Sequence, residues 1–506
     1  MQIFSNQTWK NLEDCACGKK IVLFGVGSFS RVFLERYKEL RLIAVVDNDI
    51  RKQGLKVKDV IGETKIQEVD DMTVFAPDVL LEYGDANEMI VVVASVHDHE
   101  IARQLEGLGI YNVFSIPKME ENSRERKNND LLRLQYIEKF CDLPIENKKV
   151  CIMMGNYGGH GYYITKALLE MTRDVEIVWI VRSPRFDVPD RVRIVFDGDW
   201  KNYYKELETA KIWIYDNLVP GFIRKRDEQI YIQVKHWSSI TLKKFYMDDI
   251  KYALEDKMRS NSEKNAEIMD YIFSGSQFDE ESCNRGFLFR GDYVRIGSPR
   301  SDALFDGNNR KKVCEKYNVA SDTKLALVSP TYRDIAVPDY IVDKVCMDLD
   351  FEQLKCSLEA RFGGEWKILL RLHPSIAMEA SKLTLPEYVI DTSIYENSQE
   401  LVAASEIMIT DYSSIMFEPA FVNKPVFLYA PDRETYINEE RELLLDYDEL
   451  PFSIARSNEE LVNEIKEFSV DMYEKNVKAF FAKYGVCEDG HASERAARFI
   501  MKLINI

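Results

Sequence analysis

Short apolar runs alternate with longer stretches of helical periodicity along most of this 506-residue chain. Uninterrupted apolar runs are typical of strands buried on both faces of a parallel sheet, and the stretches between them are typical of covering helices. In the N-terminal region the predicted strands are Ile21–Phe24, Leu42–Val46, Met89–Ala94 and Asn112–Ser115, with helices at Arg31–Leu40 and His97–Leu108. This alternation predicts a small Rossmann-like α/β domain in residues 1–118.

The same alternation appears twice more, after a charged segment. Residues 119–148 are predicted to form a charged linker and a connecting helix at Leu131–Phe140. Further strands are predicted at Val150–Met154, Ile177–Val181, Ile212–Tyr215, Tyr231–Val234, Leu325–Ser329, Lys367–Arg371, Tyr388–Asp391, Glu406–Ile409 and Val426–Tyr429. They predict two α/β halves, 149–292 and 293–506, which meet at a cleft with ligands at the carboxyl ends of the strands. A last helix, about Asp489–Ile504, can pack back across the first half.

Composition narrows the classes of protein that fit. With 46% hydrophobic and 30% charged residues, the sequence is typical of a globular protein with large cores. The net charge of −18 argues against a surface that binds nucleic acid. Nine cysteines without Cys-x-x-Cys pairs indicate reduced thiols and predict no metal site. No apolar run reaches the length of a spanning helix, so we expect a cytoplasmic protein, with peripheral contact at the inner face of the cell membrane left open.

The run Thr410–Pro419 follows a predicted strand and opens a helix. Ser413 and Ser414 are predicted to cap that helix, whose free N–H groups and positive dipole end favour a bound anion. Taken alone, serines at such a position are more often plain caps than phosphate ligands. Charged residues at two other predicted strand ends favour the phosphate interpretation.

These three strand ends of the last half are predicted to converge on one wall of the cleft. One carries Asp411, another carries Thr331 and Arg333, and the third carries Arg371 and His373. Arginines suit a diphosphate, because a guanidinium bonds two oxygens at once and keeps its charge. A surface salt bridge is the alternative for each arginine taken singly.

Two of the six histidines are candidate general bases. The predicted strand Tyr231–Val234 leads to His236 at the mouth of the cleft, where an imidazole with a pKa near about 6.5 can take a proton. A glycine-rich turn, Met154–Gly161, places His160 after another strand. A hydrogen-bonded structural role is the alternative for His236, and His160 is the reserve candidate for the base. Between the halves, Gly297–Asp302 is either a turn with a capping aspartate or a hinge that lines the cleft.

The N-terminal module carries a glycine turn typical of dinucleotide-binding domains. Gly25 and Gly27 follow a predicted strand and open a helix, Ser30 stands where a third glycine is expected, and Asp47 ends the next strand. The module either binds a nucleotide through Gly25, Gly27 and Asp47 or uses the glycines only to make the bend. Asp197–Asp199 is interpreted as a turn, so no metal ligands are assigned and a divalent cation is left open as a cofactor.

The order of the motifs from about Lys149 to Ile506 resembles the CDP-glycerol glycerophosphotransferase family, the teichoic acid polymerases and primases. The matching motifs are Gly-x-Pro-Arg-x-Asp at 297–302, Pro-Thr-x-Arg-Asp at 330–334, Arg-x-His at 371–373, Asp-Tyr-Ser-Ser-x-x-Phe-Asp/Glu at 411–418 and Lys-Pro-Val at 424–426. In the first family motif, Trp-His-Gly-Thr-Pro is replaced here by Lys-His-Trp-Ser-Ser at 235–239, so the histidine is retained while the acceptor side differs. The N-terminal module is similar to the nucleotide-binding module of several polysaccharide-biosynthesis enzymes.

The resemblance implies a GT-B type pair of Rossmann-like domains preceded by an additional small one. It implies a transferase that moves glycerol phosphate or ribitol phosphate from CDP-glycerol or CDP-ribitol to a hydroxyl of a teichoic-acid-like or capsular polymer, releasing CMP. The implied catalytic residues are His236 and His373. The implied substrate-binding residues are Arg300, Thr331, Arg333, Arg371, Asp411, Ser413, Ser414 and Glu418.

Expected partners are the CDP-alditol, a lipid-linked or polymeric acceptor and the membrane surface, with a homo-oligomer left open. The basic clusters Arg224–Arg226 and Lys243–Lys244 are expected to meet anionic polymer or lipid phosphate. Two other functions stay open at this point. A nucleotide-sugar glycosyltransferase of GT-B fold would release UDP from UDP-sugars, and a non-catalytic nucleotide-binding scaffold would bind CDP-glycerol without turnover.

Overall fold

The computed structural model of the chain describes residues 7–16, 18–36, 42–62, 64, 66–84, 86–95, 97–122, 124–155, 157–181, 188–331, 333, 349–373 and 384–505. Three parallel sheets are present in this part of the chain. Contacts divide the described residues into two compact units: one contains the residues up to Leu134 together with Arg333, and the other contains the remaining residues from Gln135 onward. Parts of several predicted motifs lie outside the described residues, namely Leu40, Asn156, Tyr332, Asp334 and Pro374.

The first unit contains a five-stranded sheet in the order β3-β2-β1-β4-β5. Its strands are β1 Lys20–Phe24, β2 Leu42–Val46, β3 Val74–Phe75, β4 Met89–Val93 and β5 Val113–Ser115. Its helices are Trp9–Ala16, Ser28–Arg36, Val57–Ile61, Gln67–Asp70, Asp98–Gly107 and Ile116–Glu121, with 3-10 turns at Pro77–Glu82 and Ala86–Glu88. Helix Arg124–Phe140 begins in the first unit and ends in the second. Every strand pair is parallel and helices cover both faces, so the predicted doubly wound arrangement is confirmed.

The segment predicted as a charged linker is largely helical. Helix Arg124–Phe140 begins seven residues before the predicted Leu131, and Ile116–Glu121 precedes it. The connecting helix is confirmed over 131–140, whereas the prediction of a linker was wrong for residues 124–130, which belong to the same helix. The reason is that Glu, Arg, Lys and Asn side chains are compatible with a solvated helix, and charge alone does not prevent a helix from forming.

The second unit holds the other two sheets. The first half has strands β6 Glu146–Met153, β7 Glu176–Val181, β8 Val192–Phe196, β9 Ala210–Tyr215, β10 Ile230–Gln233, β11 Tyr271–Ser274 and β12 Asp292–Arg295, in the order β12-β11-β10-β9-β6-β7-β8. Its helices are His160–Met171, Trp200–Thr209, Ile250–Ala253, Asp256–Ile268 and Gln277–Gly286, with 3-10 turns at Tyr246–Asp248 and Pro299–Phe305. The strands β8, β11 and β12 were not predicted. The edge strands β8 and β12 are partly exposed and mix polar with apolar positions, so no continuous apolar run marks them.

The second half has a six-stranded parallel sheet in the order β15-β14-β13-β16-β17-β18. Its strands are β13 Lys324–Ser329, β14 Trp366–Leu370, β15 Val389–Asp391, β16 Ile407–Thr410, β17 Val426–Tyr429 and β18 Ser453–Ala455. Its helices are Asn308–Tyr317, Phe351–Phe362, Ser398–Ala404, Phe417–Ala420, Arg433–Thr435, Asn458–Glu467, Val470–Tyr484 and Ala492–Leu503, with 3-10 turns at Ser414–Met416 and Tyr447–Glu449 and a π turn at Tyr436–Glu440.

The final helix, Ala492–Leu503, returns to the first half. It packs on helix His160–Met171, and its small and apolar face joins the core around β6 and β7. Asp302 fixes its start, because the carboxylate accepts hydrogen bonds from the N–H groups of Ala492 at 3.1 Å and Ser493 at 2.7 Å. The segment predicted as a capping turn or a hinge, Gly297–Asp302, therefore contains the cap of this helix.

Candidate active site between the two α/β halves

His236 lies just beyond the carboxyl end of β10, with its ring open to the cleft. The ring hydrogen-bonds the main chain of Asp216, which follows β9. Although the ring is exposed to the cleft, the surrounding protein shields its charge from bulk water, and Arg300 adds a nearby positive charge; together they lower the pKa of His236 to about 4. The imidazole is therefore neutral at physiological pH. One nitrogen is fixed as a donor, and the other carries a lone pair that can accept a proton.

His160 is a buried structural histidine in the described conformation. Its Nε2 donates to the carbonyl of Trp237 at 2.9 Å, since a carbonyl can only accept, and its Nδ1 accepts the N–H of Arg300 at 3.4 Å. Burial and neighbouring positive charge hold the pKa of His160 well below its usual range. Both nitrogens are engaged, so His160 ties the glycine-rich turn to the segment after His236 and to the Gly297–Asp302 loop.

Arg300 connects the two halves beside His236. Its Nη1 donates to the main-chain oxygen of His236 at 2.7 Å, and its Nη2 lies 2.9 Å from Oε1 of Glu418, whose side chain is 1% exposed. Within the described residues, the buried atoms Nε of Arg300 and Oε2 of Glu418 have no hydrogen-bond partner. Glu418 is thus an ion-pair partner of Arg300 with one oxygen still able to accept.

Arg371 adds a second positive charge to the same region. Its Nη1 donates to the carbonyls of Thr392 at 3.3 Å and Tyr395 at 2.6 Å, which hold the guanidinium at the end of β14. Burial, with a smaller contribution from the charge of Arg300, lowers the pKa of Arg371 to about 10, so it stays charged at neutral pH. His373, two residues further on, is exposed.

Asp411 organises the strand ends. Its Oδ1 accepts the N–H groups of Thr331 at 2.8 Å and of Tyr412 at 2.6 Å, and both Asp411 and Thr331 are buried. The carboxylate therefore joins the loop after β13 to the loop after β16. Arg333 is also buried.

The helix that follows β16 differs from the prediction. Its first turn is a 3-10 turn, Ser414–Met416, closed by the Met416 N–H on the Ser413 carbonyl at 3.1 Å, and the side chain of Ser413 makes no capping bond. The Ser414 hydroxyl instead lies 3.0 Å from Thr241 Oγ1 and accepts the Leu242 N–H at 3.0 Å. The capping prediction was wrong for both serines, because the tight first turn satisfies the orphan N–H groups by itself.

We therefore expect the two adjacent serines to respond differently to removal of the hydroxyl. Ser414→Ala leaves the Leu242 N–H without its acceptor, a loss of about 1–3 kcal/mol, so the midpoint of thermal unfolding falls by several degrees. Ser413→Ala is the matched control and is expected to leave that midpoint within about a degree. Differential scanning calorimetry of both variants checks this, and equal midpoints would contradict the assignment.

The basic clusters are largely paired within the protein. Lys225 lies 3.0 Å from Asp270, Arg226 donates to the Leu143 carbonyl at 2.7 Å, and Lys244 lies 3.3 Å from Glu442. Arg224 is exposed. A carboxylate or a carbonyl of the protein therefore engages Lys225, Arg226 and Lys244, and the expected contact of the clusters with anionic polymer or lipid phosphate stays a prediction. The segment at Lys243 also forms a backbone bridge with Leu443 of the second half.

The carboxyl group of Glu488, which no sequence motif indicates, lies where the two halves meet. Glu488 accepts hydrogen bonds from the Ser239 hydroxyl and from the Ser298 N–H, the latter at 3.1 Å. Burial, together with the charge of Asp302, raises the pKa of Glu488 to about 7. No local sequence pattern indicates Glu488, because its partners Ser239 and Ser298 lie in two segments that are distant from it in the chain.

This raised pKa predicts a specific dependence of stability on pH. The folded state holds the Glu488 proton more tightly than the unfolded chain does, so the contribution is complete below about pH 4.5 and is lost as the pH rises towards 7. Glu488→Gln mimics the protonated form. The midpoint of thermal unfolding of this variant, relative to that of the wild type, should therefore be higher at pH 8 than at pH 5. Glu494→Gln, a change at a carboxylate whose side chain is 43% exposed, is the control. If the midpoint of Glu488→Gln differed from that of the wild type by the same amount at pH 5 and at pH 8, the expectation would be contradicted.

In the N-terminal module, the Asp47 side chain forms hydrogen bonds within the module itself. Its Oδ2 accepts the Val26 N–H at 2.8 Å and the Lys52 ammonium at 3.1 Å. Gly25 has φ +94°, and a Cβ there would come within 3.1 Å of the Ala94 carbonyl oxygen. Gly27 donates to the Ser30 hydroxyl at 2.9 Å. These contacts favour the structural use of the glycines over nucleotide binding.

In the described part of the chain, no helix has both the length and the apolar composition needed to cross a bilayer. The same residues contain no group of three or more His, Cys, Asp and Glu side chains arranged to hold a metal ion. The cation left open above stays a prediction.

Comparisons with known proteins agree with this geometry. The family described as CDP-Glycerol:Poly(glycerophosphate) glycerophosphotransferase matches residues 140–502. A teichoic acid poly(glycerol phosphate) polymerase of Bacillus subtilis (strain 168) is 30% identical over 58% of this chain and 40% of its own length. A teichoic acid poly(ribitol-phosphate) polymerase of Bacillus spizizenii (strain W23) is 30% identical over 73% of this chain and 58% of its own. The chain thus spans less than two thirds of either polymerase.

The structure of the wall teichoic acid polymerase TagF superposes with a TM-score of 0.64 at 25% identity, covering 76% of this chain and 96% of that one. The predicted fold class and family are therefore confirmed: the chain belongs to the CDP-glycerol:poly(glycerophosphate) glycerophosphotransferase family, with a GT-B-like pair of α/β halves.

Proposed function

We propose that this chain moves an alditol phosphate from a CDP-alditol to a hydroxyl of a growing polyol-phosphate polymer and releases CMP. The observation that carries the proposal is the neutral imidazole of His236 in the cleft, with one ring nitrogen committed to the main chain of Asp216. Membership of the family supports the reaction class.

In the proposed reaction the acceptor oxygen attacks the phosphorus that carries the alditol. His236 takes the hydroxyl proton as the new O–P bond forms, and the O–P bond to CMP breaks, so that CMP leaves with the electron pair. The proton then passes from His236 to solvent. A base with a pKa of about 4 is a weak one, but it is deprotonated at every working pH and ready to accept.

The positive groups of the cleft suit the donor's diphosphate. Arg371 and Arg300 are charged and close enough for the charge of one to affect the pKa of the other. Fixed cations at a transferring phosphoryl group stabilise the charge that builds up on it and on the leaving CMP. Glu418, through its second oxygen, is proposed to accept from a ribose hydroxyl, and Ser413 and His373 are proposed to contact the phosphates.

Both alditols have to be tested as donors. One compared polymerase is named for glycerol phosphate and another for ribitol phosphate, at the same 30% identity. We also propose a lipid-linked or polymeric acceptor and peripheral contact with the inner face of the cell membrane, which co-sedimentation with anionic vesicles checks.

The test is CMP release from CDP-glycerol and, separately, from CDP-ribitol, with a lipid-linked acceptor analogue. We expect turnover with one donor and none with UDP-sugars. UDP release from a UDP-sugar without CMP release would establish the glycosyltransferase instead, and binding of CDP-glycerol without any turnover would establish the scaffold.

A further inference from the structure

The two residues that flank His236 reach a single buried carboxylate. Asp279 has no exposed surface. The Lys235 ammonium forms an ion pair with its Oδ2, and the Trp237 indole N–H donates to its Oδ1 at 3.2 Å. Because the side chains on both sides are anchored to the same group, the imidazole between them is left facing the cleft.

Asp279 is itself held firmly. It lies in the first turn of helix Gln277–Gly286, whose cap Ser276 accepts the Asp279 N–H at 2.9 Å and donates to the Ser239 carbonyl at 2.5 Å. The Gly275 N–H donates to Oδ2 at 3.2 Å. The helix start and the Lys235 ammonium both favour the negative charge. The carboxylate is therefore a rigid anchor for the segment that carries His236.

Lys235 needs such an anchor. Its φ is +61°, a left-handed conformation that costs a lysine about 1–2 kcal/mol. Its ammonium is buried, with 3% of the side chain exposed, and would be strongly destabilising without a partner. Strain of this kind persists only where surrounding contacts determine it, and it turns the chain immediately before His236.

We propose that Asp279 is the positioning residue of His236: through Lys235 and Trp237 its carboxylate sets the direction in which the imidazole points into the cleft. This inference rests on the proposed role of His236 as base. A misplaced base slows proton transfer while donor binding, which involves other residues, is unchanged. The expected signature is therefore a lower kcat at constant donor KM.

The experiment replaces the ion pair by apolar side chains of similar size, Lys235→Met with Asp279→Leu, since such exchanges often leave a protein stably folded. We expect kcat for CMP release to fall about 10- to 100-fold, as for a misplacement of roughly 1 Å, with donor KM within about threefold. The matched control is Lys149→Met with Glu206→Leu, another buried pair in the same half, at 3.2 Å but at the start of β6. The control should keep the wild-type kcat.

Trp237→Phe is the second variant, since it removes the indole bond to Asp279 and keeps an aromatic ring beside His236. It should lower kcat by a smaller factor. Histidine NMR, assigned with His236→Asn, provides a readout without turnover: the pKa of His236 should move from about 4 towards 6.5 in the double variant. An unchanged kcat and an unchanged titration in folded variants would overturn the proposal. If wild-type protein releases no CMP, the proposed function fails, while the titration still tests the positioning.

Discussion

Replacing His236 by alanine is expected to lower kcat for CMP release by about 10²–10⁴, the range typical of a general base. The donor should still bind, because the charged groups of the cleft are untouched. His491→Ala, a change at an exposed histidine, is the matched control and should leave kcat unchanged. Stopped assays with both donors measure the effect, and a His236→Ala protein with wild-type kcat would exclude His236 as the base.

The pH dependence of the wild type sharpens this test. His236 works in its neutral form, and its pKa of about 4 keeps it neutral down to about pH 5. Between pH 7.5 and 5.5 we therefore expect nearly constant kcat/KM. An imidazole with the ordinary pKa of about 6.5 would lose roughly nine tenths of its activity over the same range. A steep fall of kcat/KM below about pH 6.5 would contradict the lowered pKa of His236.

Removing one partner of the Arg300–Glu418 pair is expected to be strongly destabilising. Arg300→Gln leaves the buried Glu418 carboxylate without its cation, a loss of about 3–5 kcal/mol. At roughly 1–2 °C per kcal/mol for a unit of this size, the midpoint of thermal unfolding falls by about 3–10 °C. The same change removes the positive charge that lowers the pKa of His236, so the acid limb of kcat/KM should move to higher pH.

A double-mutant cycle measures the interaction energy between Arg300 and Glu418 separately from the effects of the single substitutions. Arg300→Gln with Glu418→Gln replaces two buried charges by amides and should be less destabilised than the two single variants added together. The exposed pair of Lys483 and Glu449 is the control, and Glu449→Gln should cost no more than about 1 kcal/mol. Additive effects at Arg300 and Glu418 would show that the pair is not coupled.

The parts of the fold that a local pattern specifies were predictable from the sequence. The strands β1, β2, β4 and β16 are largely apolar runs, which favour a parallel sheet that is covered on both faces. The edge strand β12 has no such run, because one side of it meets solvent. Residues 124–130 were predicted as linker because this charged run has no apolar periodicity, although they form the first part of helix Arg124–Phe140.

The site residues divide along similar lines. A residue at the end of an apolar run, such as His236 or Arg371, can be placed at the cleft from the sequence. What each one contacts depends on segments far away in the chain, and no local pattern records that. Ser414 contacts Leu242 rather than capping its own helix, and Asp47 is engaged by Lys52 and by the main chain of Val26. Asp279 and Glu488 carried no signal at all, because their partners lie in other segments.

The returning helix Ala492–Leu503 sets the order in which this protein can fold. Its residues Ala496 and Ile500 complete a core that begins with Val150, so roughly 330 or more residues separate groups that pack together. The first half cannot close its core until that distant segment has emerged and docked. During synthesis, the apolar face of helix His160–Met171 therefore stays exposed to solvent until the whole second half has been made. This exposed face is a surface that chaperones would have to protect.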